Sequence, residues 1–361
     1  MPYCCQSLIA AKGGFPRRAT ASLLMLFALF FASSHAFAEP TRGRPRPEPP
    51  MPAKVVLAGV NYTEAKAVFS RLGYQSAWDA KAQQLTLSAV AGSLVFTADS
   101  RESSVLGLRT FLGEPAALYR GALYLSTLDL ERLVLPILRP DRNAPRALRV
   151  IMIDAGHGGN DSGTRSADGK LLEKTFTLDV ARRLQRLLAG SDWRVLMTRT
   201  DDRYIALPER AAMANAAKAD LFISIHFNAV PNGAAVRGTE TYVLTPRFQR
   251  STSSSKASPE DKVDQPGNRH DAWSAVLGYH MHRQLLAKLK TEDRGFKRAR
   301  FAVLRLVECP AVLVEAGYLS NAGEARRIAD AEYRGDIAEA LASAVNAYAA
   351  SLATAARAAA K

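Results

Sequence analysis

The chain has 361 residues, of which 48% are apolar, so it can bury a sizeable core and is no solvated low-complexity polymer. Its 48 Lys and Arg against 34 Asp and Glu give a net charge of +14, which draws it to polyanions: nucleic acid, anionic lipid or acidic wall polymers. The compartment decides among these, and the N-terminus speaks to it.

Arg17 and Arg18 precede an apolar run, Ala21 to Phe31, that is too short to span a bilayer comfortably. Ala36-Phe37-Ala38 then supplies small residues before Glu39. Residues 1–38 therefore read as a secretory signal peptide, which sends the protein to the periplasm or cell envelope and away from nucleic acid. Their removal takes Lys12, Arg17 and Arg18, together with Cys4 and Cys5, and leaves Cys309 as the single cysteine. Cys309 precedes Pro310 and an apolar strand; the expectation is a buried, inert thiol and no internal disulfide. Residues 39–53 hold six prolines and read as an extended linker.

Residues 54–140 read as a small α+β accessory domain. A strand begins at Lys54, a short helix covers Thr63 to Leu72, and strand-like pieces follow at Gln75–Trp78, Gln84–Ser88 and Ser93–Thr97. Ala117–Ser126 reads as a hairpin turning at Gly121, and Thr127–Leu135 as a closing helix. Arg139 to Arg146 is a polar joint. From Leu148 to Ala353 strands alternate with amphipathic helices, the pattern of an α/β layered sheet. The strands are Arg149–Ile153, Arg194–Thr198, Leu221–His226, Gly238–Leu244, Ala302–Leu306 and Ala311–Glu315. The helices are Glu173–Leu188, Ala206–Ala217, Ala272–Leu289 and Tyr333–Ala353, and residues 354–361 form an Ala-rich tail. Residues 246–271 interrupt the alternation with a polar, Ser-rich loop longer than a compact domain needs.

Two histidines stand at strand ends. Ile153-Asp154-Ala155-Gly156-His157-Gly158-Gly159 runs a buried strand into a glycine-rich turn, and Ser224-Ile225-His226-Phe227-Asn228 ends a second strand in His226. Sheets of this class place ligands beyond the carboxyl ends of their strands, so the two can converge. Glu173, at the start of the long helix, has a plain explanation in the helix dipole. With the two histidines, it completes a two-nitrogen, one-oxygen set that suits Zn²⁺ and leaves a fourth position for water. Hydrolysis also needs a proton shuttle. Glu315 follows four apolar strand residues, where a carboxylate is costly to bury unless paired or near a metal. Glu308 lies in a polar connection and ranks behind it. Asp154 is open to two readings, a hydrogen-bond partner of His157 or a purely structural residue.

These blocks, with Glu173-Lys174, Thr198-Arg199-Thr200-Asp201-Asp202, Leu207-Pro208-Glu209-Arg210, Ala214-Asn215 and Pro310 to Asn321, resemble N-acetylmuramoyl-L-alanine amidases of the zinc-dependent type 3 family. The resemblance covers about residues 148–350. It implies a three-layer mixed sheet with helices on both faces, Zn²⁺ on His157, Glu173 and His226, and Glu315 as catalytic acid/base. It implies peptidoglycan as substrate, cleaved between N-acetylmuramic acid and L-alanine, and a monomer with a possible activator protein. Some relatives carry a helical insert that covers the metal, which raises partial autoinhibition by 246–271 as an expectation. The 54–140 segment resembles the copper-amine-oxidase N-terminal-like domain; it has no His or Cys, so no copper is implied. Two other readings compete. A catalytically inactive wall-binding protein predicts a lost ligand or a lost Glu315, and all four residues are present. A zinc protease predicts H-E-x-x-H, which does not occur.

Overall fold

The computed structural model describes residues 51–140, 144–231 and 233–360. The signal peptide and nearly all of the linker lie outside the described residues. Among the described residues no helix is long and apolar enough to cross a membrane.

The upstream segment is mostly strand. It runs β1 (Lys54–Leu57), β2 (Val60–Glu64), α1 (Ala65–Ser70), β3 (Gln75–Asp79), β4 (Gln84–Ala89), β5 (Gly92–Thr97), β6 (Glu102–Val105), β7 (Leu108–Phe111), β8 (Ala117–Tyr119) and β9 (Ala122–Ser126). A helical stretch follows: α2 (Thr127–Asp129), a π-helical turn (Leu130–Val134) and α3 (Leu135–Leu138). Strands β3 to β7 form an antiparallel meander whose Leu85, Leu87, Leu94, Phe96, Val105 and Leu108 are buried on one face. Residues between them in sequence point the other way, as the period of two demands.

The downstream segment contains β10 (Val150–Ala155), α4 (Glu173–Leu188), β11 (Arg194–Met197), α5 (Leu207–Ala216), β12 (Leu221–Asn228), β13 (Thr239–Leu244), α6 (Asp271–Leu289), β14 (Asp293–Ala299), α7 (Ala302–Leu306), β15 (Ala311–Tyr318), α8 (Ala322–Ala329) and α9 (Ala331–Ala359). The strand order is β11-β10-β12-β15-β13-β14-β7-β6-β5-β4-β3, so one eleven-stranded sheet runs through both segments. It crosses from one to the other where Phe296 of β14 pairs in parallel with Thr110 of β7.

Alternation along the strands divides two cores. Ile151, Ile153, Ile223, Ile225, Val312 and Val314 face α4, α6 and α9 in the larger one. Met152, Phe222 and Leu313 face α5 and α7 in the smaller one, beside buried Cys309. Helices thus lie on both faces of a mixed sheet, as the strand–helix alternation implied. On the second face, the next residues along are Asp154, Ser224, His226 and Glu315.

Several elements differ from the sequence reading, β6, β7 and α8 among them. Ala302–Leu306 is a helix, not a strand. Four apolar residues in five fit either period, and here Val303 and Leu304 bury by packing over α5. β14 escaped the reading because Arg294 and Lys297 break its apolar pattern; both pair with Glu240. The last helix runs through Ala359. The 246–271 segment is ordered by two short 3₁₀ turns, Pro259–Lys262 and Pro266–His270, and by polar contacts to the upstream segment. Arg101 donates to the carbonyls of Arg250, Ser251, Thr252 and Ser254. Buried Arg298 bridges Asp129 and Gln249.

Candidate metal centre and active-site cavity

β10 delivers His157 just past its carboxyl end, with His157 itself in the left-handed region at φ 61°. Two buried arginines hold this turn by its carbonyls. Arg199 donates to Ala155, Gly156 and Lys174; Arg210 donates to Ala155, His157 and Ile205. Asp154 does not serve His157. Its carboxylate accepts from Thr198, Arg210 and Ser224; the fully buried ion pair with Arg210 and these bonds tie β10, β12, α5 and the residue after β11 together. The ring Nδ1 of His157 instead meets Asp161 at 2.8 Å, which fixes the ring's orientation.

Glu173 is the first residue of α4 and 1% exposed. Its Oε2 lies 3.1 Å from His157 Nε2 and its Oε1 2.9 Å from His226 Nδ1. The backbone N–H groups of Thr164 and Phe227 donate to the same carboxylate at 2.7 and 3.0 Å. Burial opposes the charge on Glu173, but the hydrogen bonds from His157 and His226 outweigh it and hold the carboxyl well below the usual range. One donor atom from each of His157, Glu173 and His226 falls within 4.8 Å of the others. Close backbone approach makes this possible: a Cβ on Gly156 would sit 2.3 Å from the His226 ring.

Glu315 reaches the same place by register. It pairs with His226 across β12 and β15, and residues paired across parallel strands share a face. Burial first, then repulsion from Glu173 and Glu240, raises its carboxyl well above the usual range. Its Oε2 is shielded from solvent and has no hydrogen-bond partner. Among the described residues it is an orphaned acceptor beside three convergent donors, an arrangement that fits a metal-bound water. The cavity over these groups has a volume of about 280 Å³ and is walled by Leu207, Asn228, Phe301, Ala302, Val303 and Leu313. No residue of 246–271 lines it. Glu308 is exposed and does not line it either.

The sequence reading missed Asp161 and Glu240 as site residues. Asp161 follows His157 by four residues in the motif, which is the available signal. Glu240 is 2% exposed within a strand and accepts from Asn228, Tyr242, Arg294 and Lys297. A lone acid between two threonines gave no hint of those partners.

A family profile described as N-acetylmuramoyl-L-alanine amidase matches residues 151–347. The chain belongs to this family. Among its relatives is the uncharacterized protein YqiI of Bacillus subtilis (strain 168), 34% identical over 200 residues that make up 55% of this chain and 84% of that one. The endolysin of Bacillus phage SPP1 is 36% identical over 192 residues, 53% of this chain and 62% of that protein. The N-acetylmuramoyl-L-alanine amidase AmiC of Neisseria meningitidis serogroup B (strain MC58) is 34% identical over 231 residues, 58% of this chain and 55% of that one. The solved catalytic domain of CwlV, an N-acetylmuramoyl-L-alanine amidase of Bacillus (Paenibacillus) polymyxa var. colistinus, is 32% identical and aligns with a TM-score of 0.47 over 56% of this chain and 98% of its own. The amidase-family match contains His157, Glu173, His226 and Glu315; the upstream segment lies outside it.

Proposed function

We propose that this amidase-family protein is a zinc-dependent N-acetylmuramoyl-L-alanine amidase, acting on peptidoglycan at the bond between the lactyl group of N-acetylmuramic acid and L-alanine. The observation that carries the reading is the placement of Glu315 at the register position of His226, inside the cavity that holds three convergent metal donors. Zn²⁺ held by His157, Glu173 and His226 would supply an acidified water and a Lewis acid for the carbonyl.

Within that frame the chain's residues divide the work. Asp161 fixes the His157 ring, and the Thr164 and Phe227 amides fix Glu173. Glu315 takes the proton of the attacking water at its unpaired oxygen. The oxygen of that water adds to the carbonyl carbon, the C–N bond breaks, and Glu315 returns the proton to the leaving amine of L-alanine. Leu207, Phe301 and Val303 give the cavity apolar walls that limit water around the reacting bond. We further propose that the protein is exported and works in the periplasm or envelope as a monomer whose basal activity an activator protein can raise.

Purified peptidoglycan digested with the protein should yield new L-alanine amino ends and intact muramic acid lactyl carboxylates by mass, and a zinc chelator should abolish both. New ends at any other bond, or digestion indifferent to the chelator, would refute the reading.

A further inference from the structure

The cavity face of the sheet does not stop at Glu315. Register carries it strand by strand: His226 pairs with Glu315, Glu315 with Glu240, and Tyr242, two residues along from Glu240, with Lys297. Phe296 pairs with Thr110, which sets Lys297 beside Phe111 of the upstream segment. Phe111 then pairs with Glu102, and Arg109 with Ser104; Ser104 pairs with Val95, and Gln84 with Thr97. Side-chain contacts follow the same path. Asn228, in the cavity wall, donates to Glu240 at 3.2 Å, and Lys297 meets Glu240 at 2.5 Å. Lys297 lies 5.7 Å from the Phe111 ring centre, Arg109 lies 5.2 Å from it, and Arg109 pairs with Glu102 at 2.8 Å.

From β12 to β4 this makes seven inter-strand steps, or about 34 Å at the usual strand spacing of about 4.8 Å. Its far end is a groove of about 530 Å³ lined by Gln84, Thr97, Glu102, Ser104 and Arg109 among others. The surface there is mostly hydroxyl and amide; its one arginine is matched by Glu102, and its second carboxylate, Asp293, meets His282. It lacks the row of unpaired cations that a nucleic acid needs and the apolar patch that a membrane needs. A polar strip whose charges are paired with one another, joined to an active-site cavity, suits a hydroxyl- and amide-rich chain.

We propose that the open face of β4 to β7 is an extended binding surface for the same polymer whose bond lies in the cavity, a glycan strand with peptide branches. The surface rests on the amidase reading for the identity of that polymer. It makes the upstream segment a continuation of the active-site face, holding a long substrate at several points at once and lowering its effective KM.

The test uses the full chain carrying Gln84→Ala, Thr97→Ala and Arg109→Ala together and, separately, Ser104→Tyr, which plants a bulky ring on the face. Activity is measured on long-chain peptidoglycan and on a single-disaccharide muropeptide, with thermal melting as the check on folding. The expected result is a fall of about tenfold in kcat/KM on the polymer, carried by KM, with the muropeptide turned over as before. Unchanged activity on the polymer would overturn the proposal, and so would an equal loss on both substrates. If Ser104→Tyr fails to fold, the alanine variant, which only trims side chains on this face, still decides. Should the parent cleave neither substrate, the amidase reading fails, and co-sedimentation with insoluble peptidoglycan judges the surface alone: weaker binding by the variants supports it and equal binding overturns it. Variants that shift a monomer–dimer equilibrium while binding polymer as the parent does would mark a contact between copies and defeat the proposal.

Discussion

Glu315 is pressed from both sides by carboxylates, Glu173 on the metal side and Glu240 directly across the strand pair. A glutamine there keeps the shape and removes the exchangeable proton. Glu315→Gln should therefore bind zinc as the parent does, by metal analysis of the purified protein, while wall hydrolysis falls by about 10²–10⁴-fold. His157→Ala should lose both. Hydrolysis by Glu315→Gln equal to the parent would sink the acid/base role. At this scale the sequence was legible where a motif is local: His157 and His226 each end an apolar strand, and each is marked by its neighbours. Glu173 became a ligand only in their company, and Glu240 was invisible because its partners Asn228, Arg294 and Lys297 come from other elements.

Elements meet at the site with little room between them. Gly156 and the His226 ring approach so closely that an added methyl would overlap the ring. Gly156→Ala should displace His226 and weaken zinc affinity about 10–100-fold by competition with a chromogenic chelator. Affinity equal to the parent would show that the ring has other space. A second junction is the start of α6. Asp271 is 7% exposed, accepts from Asn268 at 3.0 Å, and is pushed up to about 7 chiefly by burial. Its folded pKa then exceeds the unfolded value of about 3.9, so the folded state holds the extra proton and stability falls as pH rises from about 4 through 7. Asp271→Asn should melt several degrees higher than the parent at pH 8 and close to it at pH 4.5; an equal gain at both would exclude titration as the cause. The helix at Ala302–Leu306 belongs here as well: five residues are too few for a period to declare itself, so its helical state is set by α5 and the sheet beneath it.

At the scale of the molecule, the arginine contacts between the upstream segment and 246–271 explain how a Ser-rich loop stays ordered. Arg101→Met removes four donor bonds to that loop in one step. Limited proteolysis should then cut within 246–262 faster than in the parent, while zinc content is unchanged. An unaltered cutting rate would mean that other contacts, among them Arg250 to Glu114 and Arg300 to Asp261, suffice to hold the loop. The strand–helix alternation made the layered fold legible from residue 148 onward. The continuity of the sheet through β14 and β7 was not legible, because charged residues break the apolar pattern of β14 and β6 and β7 are each four residues long.

Helix α9 spans residues 331–359 and seals the larger core with Ile337, Leu341, Val345, Tyr348 and Leu352 against α4 and α6. The strand that carries Glu315 and the two helices it closes over are all made earlier. During synthesis the apolar side that α4 and α6 present thus stays uncovered until α9 emerges, so the larger core closes only after the strands and helices of the site have been made.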